Sequence, residues 1–204
     1  MKTLEFYYDF GSPNVYLAWQ ALSKVEDLTL TLKPALIGGI FKGANNQPPW
    51  QAFAAVPAKM QYMMVEIKRF AAIYDLTDFK MNPHFPVNTL LAMRGAMVAH
   101  ADGVEAVYFQ AVQTGMWETG LDISKPDVLA AVLTKAWLPG EAMVARTAEP
   151  AVKQALMDAT TAAINRGLFG LPTWFAKTEQ GEDYMYFGKD NCWMFGAQPD
   201  RLPA

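Results

Sequence analysis

The sequence predicts an α/β fold in which an all-helical block interrupts a small sheet domain, and three observations carry that expectation. The opening residues read as strand, helix, strand; the middle of the chain has helical periodicity throughout; the last part returns to a helix followed by two short strands.

The first strand is Thr3 to Phe10, rich in aromatics and followed by Gly-Ser-Pro, the pattern of a strand that turns into a helix. Ser12 is the natural cap, and Pro13 suits the first helical position, where an N–H would have no intrahelical partner. Val15, Tyr16, Trp19, Leu22 and Val25 supply the apolar stripe of a helix running to about Glu26. Leu28, Leu30 and Leu32 then alternate with polar residues, the period of a half-buried strand. The opening is therefore β-α-β, with parallel strands and a right-handed crossover.

From Ile37 to about Pro57 the pattern breaks into Gly38-Gly39, Gly43 and Asn45-Asn46-Gln47-Pro48-Pro49, turn chemistry over a length at which loops often carry function. Met60, Met63, Met64, Ile67, Ala71 and Tyr74 then recur at helical spacing, and further helices start near Asn88, Val104 and Pro126. The methionines read as core or as a pliable hydrophobic wall. A last helix begins near Thr147 or Glu149, holds Pro150 in its first turn and ends at Gly167. Leu168 to Ala176 leads into a strand, Glu179 to Asp183 into a turn, Tyr184 to Phe187 into a second strand, and Asp190 into a short final helix.

With the helical block removed, the remaining order is that of thioredoxin. The expected organisation is a thioredoxin-like fold with an all-helical insertion domain: residues 1–40 form its first part, 41–146 the loop and helical insertion, and 147–204 its second part.

Composition excludes several classes of function. An apolar fraction of 52% with 18% charged residues marks a folded globular chain, and 204 residues suffice for a sizeable core. A net charge of −3 gives no basic footprint for nucleic acid. One cysteine, Cys192, excludes an intrachain disulfide, and two histidines, His84 and His100, offer no metal-ligand spacing. An acidic residue early in the chain interrupts what a signal peptide would need, and no apolar run is long enough to span a membrane, so a soluble cytoplasmic protein is expected.

Two features could carry chemistry. Ser12 lies between a strand and a helix N-terminus, where unpaired N–H groups and the helix dipole favour an anion such as a thiolate; it could equally serve only as a cap. Leu171-Pro172 stands where a thioredoxin-type fold places a cis-proline loop facing that same helix end. A cis bond there would leave the backbone of Leu171 free to pair with an extended peptide, whereas a trans proline would merely open an edge strand. Ser12-Pro-Asn-Val15 replaces a Cys-x-x-Cys pair, so thiol–disulfide exchange is excluded.

These segments resemble the family of bacterial 2-hydroxychromene-2-carboxylate isomerases and kappa-class glutathione transferases. The resemblance rests on Phe6 to Ala18, Gly39 to Pro49, Asn82 to Thr89, Arg166 to Thr173 and Phe187 to Asp190, in that order along nearly the whole chain. Asn14, where many kappa members carry tyrosine, resembles the isomerase branch.

The resemblance implies glutathione as cofactor, with Ser12 as the catalytic residue contacting its sulfur. Leu171 with Pro172 would pair with the cysteinyl part, Lys189 and Asp190 would receive the γ-glutamyl end, and Asn46 and Lys59 match further glutathione-binding positions. Lys42 and Asn46 match positions for the carboxylate of the organic substrate. Taken singly, Asp190 could be a helix cap, Lys59 and Lys42 solvated surface residues, and His84 a satisfied histidine rather than a catalytic one. The implied activity is a glutathione-dependent isomerase of aromatic compound catabolism, acting on trans-o-hydroxybenzylidenepyruvate-like substrates, with a homodimer as the implied assembly. A transferase or peroxidase on the same scaffold and a noncatalytic glutathione-binding module are the alternatives.

Overall fold

The structure, a computed structural model, describes residues 2–177 and 181–196. β1 (Lys2–Tyr8) and β2 (Leu28–Pro34) pair in parallel, with Lys2 opposite Leu28 and Tyr8 opposite Pro34, and α1 (Pro13–Ser23) crosses between them. β3 (Thr173–Lys177) runs antiparallel to β1, with Phe6 opposite Trp174, and β4 (Asp183–Phe187) closes the edge, giving the order β2-β1-β3-β4. This is the thioredoxin-like α/β sheet that the sequence predicts. Of the predicted turn between β3 and β4, Glu179 and Gln180 lie outside the described residues.

α1 stops at Ser23, short of Glu26. The N–H groups of Lys24 and Val25 tighten onto the carbonyls of Ala21 and Leu22, and Asp27 at φ 58° turns the chain into β2.

The segment predicted as irregular holds two short helices, α2 (Ile37–Gly43) and α3 (Pro49–Ala52). Three glycines argue against α2 locally. Long-range contacts override them: Leu36 N–H donates to Thr160 Oγ1 and Ile37 N–H to Asp9 Oδ2, which satisfies the amides at its start. The glycines let α2 approach α9 (Pro150–Asn165), since a Cβ on Gly39 would lie 2.8 Å from Thr160 Cγ2 and one on Gly43 2.5 Å from Ile164 Cδ1.

The helical block comprises α4 (Pro57–Ile73), α5 (Leu90–Ala101), α6 (Glu105–Trp117), α7 (Pro126–Lys135) and α8 (Gly140–Arg146). Trp137 at φ 62° and Pro139 separate α8 from α7, a break that apolar spacing alone does not reveal. One continuous core runs from Phe6 and Trp174 on the sheet through Phe10 and Phe109 to Leu129 and Leu133 in the block. Phe10 is the seam: its ring packs against Tyr8, Tyr108 and Phe109, and its carbonyl accepts from Trp117 Nε1 at 3.0 Å. The insertion thereby clamps the chain two residues before Ser12. A closing 3-10 helix, Lys189–Phe195, packs on α1. Among the described residues no helix is long and apolar enough to cross a membrane.

Candidate active site

Ser12 occupies the N-cap position of α1 in extended conformation, yet its hydroxyl makes no capping bond. It donates instead to the carbonyl of Leu171 at 3.2 Å, so the expectation of a side-chain cap is corrected: the position is a cap, the hydroxyl is not. The Leu171–Pro172 bond is cis. Leu171 is buried, and among the described residues its N–H donates to no backbone carbonyl. Serine hydroxyl, helix N-terminus and a peptide N–H without a backbone acceptor among the described residues thus meet at one point.

Beside them lies a cavity of about 650 Å³ whose wall includes Ser12, Asn14, Asn46, Thr89 and Leu171. Its remaining surface is mostly apolar and aromatic: Met60, Met63, Met64 and Ile67 on one face of α4, with Trp50, Phe53, Phe85 and Phe169 around them. Trp50 packs edge-on against Phe85 at 5.3 Å, and Phe169 against Phe187 at 4.6 Å. The methionines form the pliable wall that their spacing allows. Among the described residues none of the wall side chains carries a formal charge. An anion at Ser12 would therefore rely on the hydroxyl and the α1 amides, which act strongly where little water competes.

Asn46 ties two sides of the mouth together: its Nδ2 donates to the Phe169 carbonyl at 2.8 Å and its Oδ1 accepts from Gln47 N–H at 2.8 Å. Lys42 and Lys59 are exposed and, like Pro172, Lys189 and Asp190, lie outside the cavity wall. The Lys59 ammonium sits 3.4 Å from the centroid of Phe53, a wall residue, and so reaches the cavity only through that ring. Lys189 is buried, its ammonium 2.6 Å from Asp190 Oδ1 and 3.6 Å from Glu66 Oε1, while Asp190 is largely exposed. His84 is exposed and stands outside the wall; its N–H donates to Asn82 Oδ1. Asn82 is structural, its Nδ2 donating to the carbonyls of Met116 and Leu121 at 2.8 and 2.9 Å.

Sequence reasoning missed Asp9. Fully buried, it accepts from Gly11 N–H (2.8 Å) and Thr89 Oγ1 (2.6 Å) on one oxygen and from Ile37 N–H (2.8 Å) on the other. Burial raises its pKa above the ordinary carboxylate value, opposed by these three hydrogen bonds. The available signal was an acid closing an aromatic strand, next to Phe10 and directly before the turn. A second cis bond, Phe85–Pro86, shapes the wall beside Val87 and Asn88 and also went unread.

A thioredoxin-type sheet with a hydroxyl where the redox proteins of this fold carry cysteine, facing a cis-proline loop, defines a thioredoxin-like protein without a thiol of its own at the helix end. The chain matches the DSBA-like thioredoxin domain over residues 3–198. It is 31% identical over 202 residues to glutathione S-transferase kappa 1 of Rattus norvegicus, covering 93% of this chain and 87% of that protein. It is 28% identical over 211 residues to 2-hydroxychromene-2-carboxylate isomerase of Pseudomonas putida, covering 98% and 95%. A solved structure of 2-hydroxychromene-2-carboxylate isomerase superposes with a TM-score of 0.81 at 26% identity, over 96% of this chain and 93% of that one. The chain belongs to the DSBA-like thioredoxin family and, within it, to the glutathione-related group of kappa-class transferases and 2-hydroxychromene-2-carboxylate isomerases.

Proposed function

We propose that the protein is a glutathione-dependent isomerase acting on trans-o-hydroxybenzylidenepyruvate-like aromatic substrates. The observation that carries the proposal is the Ser12 hydroxyl at the start of α1, bonded to the carbonyl of Leu171 and opening onto an apolar cavity. The residues present fit a bound tripeptide thiol: Leu171 offers an N–H that has no backbone acceptor among the described residues, and Ser12 with the α1 amides offers donors to a sulfur anion. Bound glutathione would supply a thiolate that adds to the conjugated carbon, frees the double bond to turn, and leaves unchanged.

This chain's own residues do the rest. Ser12 and the helix end hold negative charge at the sulfur position, Leu171 aligns the peptide, and the aromatic and methionine wall excludes water and holds the ring of the substrate. The uncharged wall favours a second reading on the same site, conjugation of a neutral aromatic electrophile, because a substrate carboxylate inside it would meet no cation.

Calorimetric titration with reduced and S-methyl glutathione, followed by turnover of trans-o-hydroxybenzylidenepyruvate and of a neutral aryl halide, tests both readings. Binding with isomerisation supports the first, binding with conjugation alone the second. Absence of glutathione binding overturns both.

A further inference from the structure

We propose that Asp9 is a positioning residue that holds the thiol anchor Ser12 in register with the aromatic wall that accepts the electrophile. The proposal rests on the glutathione-dependent reading of the site.

The three donors to Asp9 come from three separate segments, and each donor residue belongs to the cavity wall. Gly11 directly precedes Ser12. Ile37 opens α2, which carries the wall residue Phe41. Thr89 stands at the N-cap of α5, inside the wall segment that runs from Phe85 to Leu90; its hydroxyl makes no capping bond and is given to Asp9. Packing at this junction is close: a Cβ on Gly11 would lie 3.2 Å from Thr89 Cγ2 and 3.4 Å from Asp9 Oδ1.

An aspartate meets this demand and an asparagine does not. All three partners donate, and an asparagine would turn an N–H toward either Gly11 N–H or Ile37 N–H. Without the shared acceptor, the Ser12 turn, α2 and the start of α5 are no longer tied to one point. Leu171, the peptide-pairing residue, has no bond to Asp9 and is tied to it only through Ser12, so loss of Asp9 falls on the alignment of the electrophile more than on recognition of the tripeptide.

The test compares Asp9→Asn and Thr89→Val with the wild type. Glutathione affinity is read by calorimetry, kcat is counted per glutathione-binding site, and the unliganded cavity is probed by anilinonaphthalene sulfonate fluorescence. Asp9→Asn is expected to change glutathione affinity by no more than about threefold while kcat falls on the order of tenfold or more. Thr89→Val, which removes the hydroxyl at similar volume, should show the same split, and the double variant should be less impaired than the sum of the two. Both variants should alter the dye signal without glutathione.

Equal losses in affinity and kcat, an unchanged kcat per site, or strict additivity would each overturn the role. If Asp9→Asn does not fold, Thr89→Val alone decides by the same split. Wild-type protein that binds no glutathione refutes the functional reading instead, and the dye measurement still decides whether Asp9 and Thr89 shape the cavity together.

Discussion

The hydroxyl of Ser12 and the carbonyl of Leu171 are joined at 3.2 Å across 159 residues of chain. One hydroxyl carries one proton, which cannot serve the carbonyl and a sulfur anion together. A peptide N–H that pairs with the Leu171 carbonyl releases that proton, so peptide recognition and thiolate stabilisation become a single exchange. Ser12→Ala should therefore raise the pKa of the bound thiol and lower turnover by about 10²-fold, with a smaller effect on glutathione affinity. Thiolate absorbance against pH, measured on the complex, checks it; an unchanged thiol pKa refutes the exchange.

Cys192 is fully buried, its thiol pushed up to about 12 by burial and packed 3.8 Å from the carbonyl of Ala18. Thiolate is the reactive form, so the native protein should resist a disulfide reagent and react only after unfolding. Cys192→Ala should retain full turnover. Rapid native labelling, or loss of turnover in this variant at normal stability, would contradict the placement.

Asp9 gives a pH signature. Its folded-state pKa is raised above the ordinary 3.8, so its contribution to stability is fully present below that value and is lost as pH rises through the folded pKa. Urea unfolding of wild type and Asp9→Asn over this acidic range should show the wild type losing ground to the variant as pH rises. A pH-independent difference would show that the folded carboxyl titrates as it does in the unfolded chain.

Gly39 faces Thr160, whose hydroxyl accepts from Leu36 N–H and donates to the carbonyl of Leu156. A methyl at Gly39 would meet Thr160 Cγ2 at 2.8 Å. Gly39→Ala should destabilise the protein by about 1–3 kcal/mol, even though alanine is the better helix former. Stabilisation, measured by thermal or urea unfolding, would mean that propensity rather than docking sets α2.

Much of the architecture is legible locally. Leu28, Leu30 and Leu32 alternate and pair with β1, and the spacing from Met60 to Tyr74 gives α4, because the buried face of a strand or helix imprints its period on the residues that fill it. What escapes this logic is whatever one element lends another. α2 forms despite its glycines because Thr160 and Asp9 satisfy its first amides. Lys189 is matched to the γ-glutamyl end of glutathione only by resemblance, and nothing beside it in sequence tells that its ammonium lies buried near Glu66 as well as Asp190.

The sequence by itself determined the β-α-β opening, the helical block, and a hydroxyl rather than a thiol ahead of α1, since each is written in neighbouring residues. Tertiary structure alone decided what that hydroxyl does. Ser12 could cap its own helix, and only the arrival of Leu171 from a distant part of the chain draws its hydroxyl into a bond with that carbonyl, while Asp9 gathers Gly11, Ile37 and Thr89 around the same point. Hydrogen bonds between residues distant in sequence leave no periodic trace, because each needs only one donor and one acceptor brought together by the packing of everything between them.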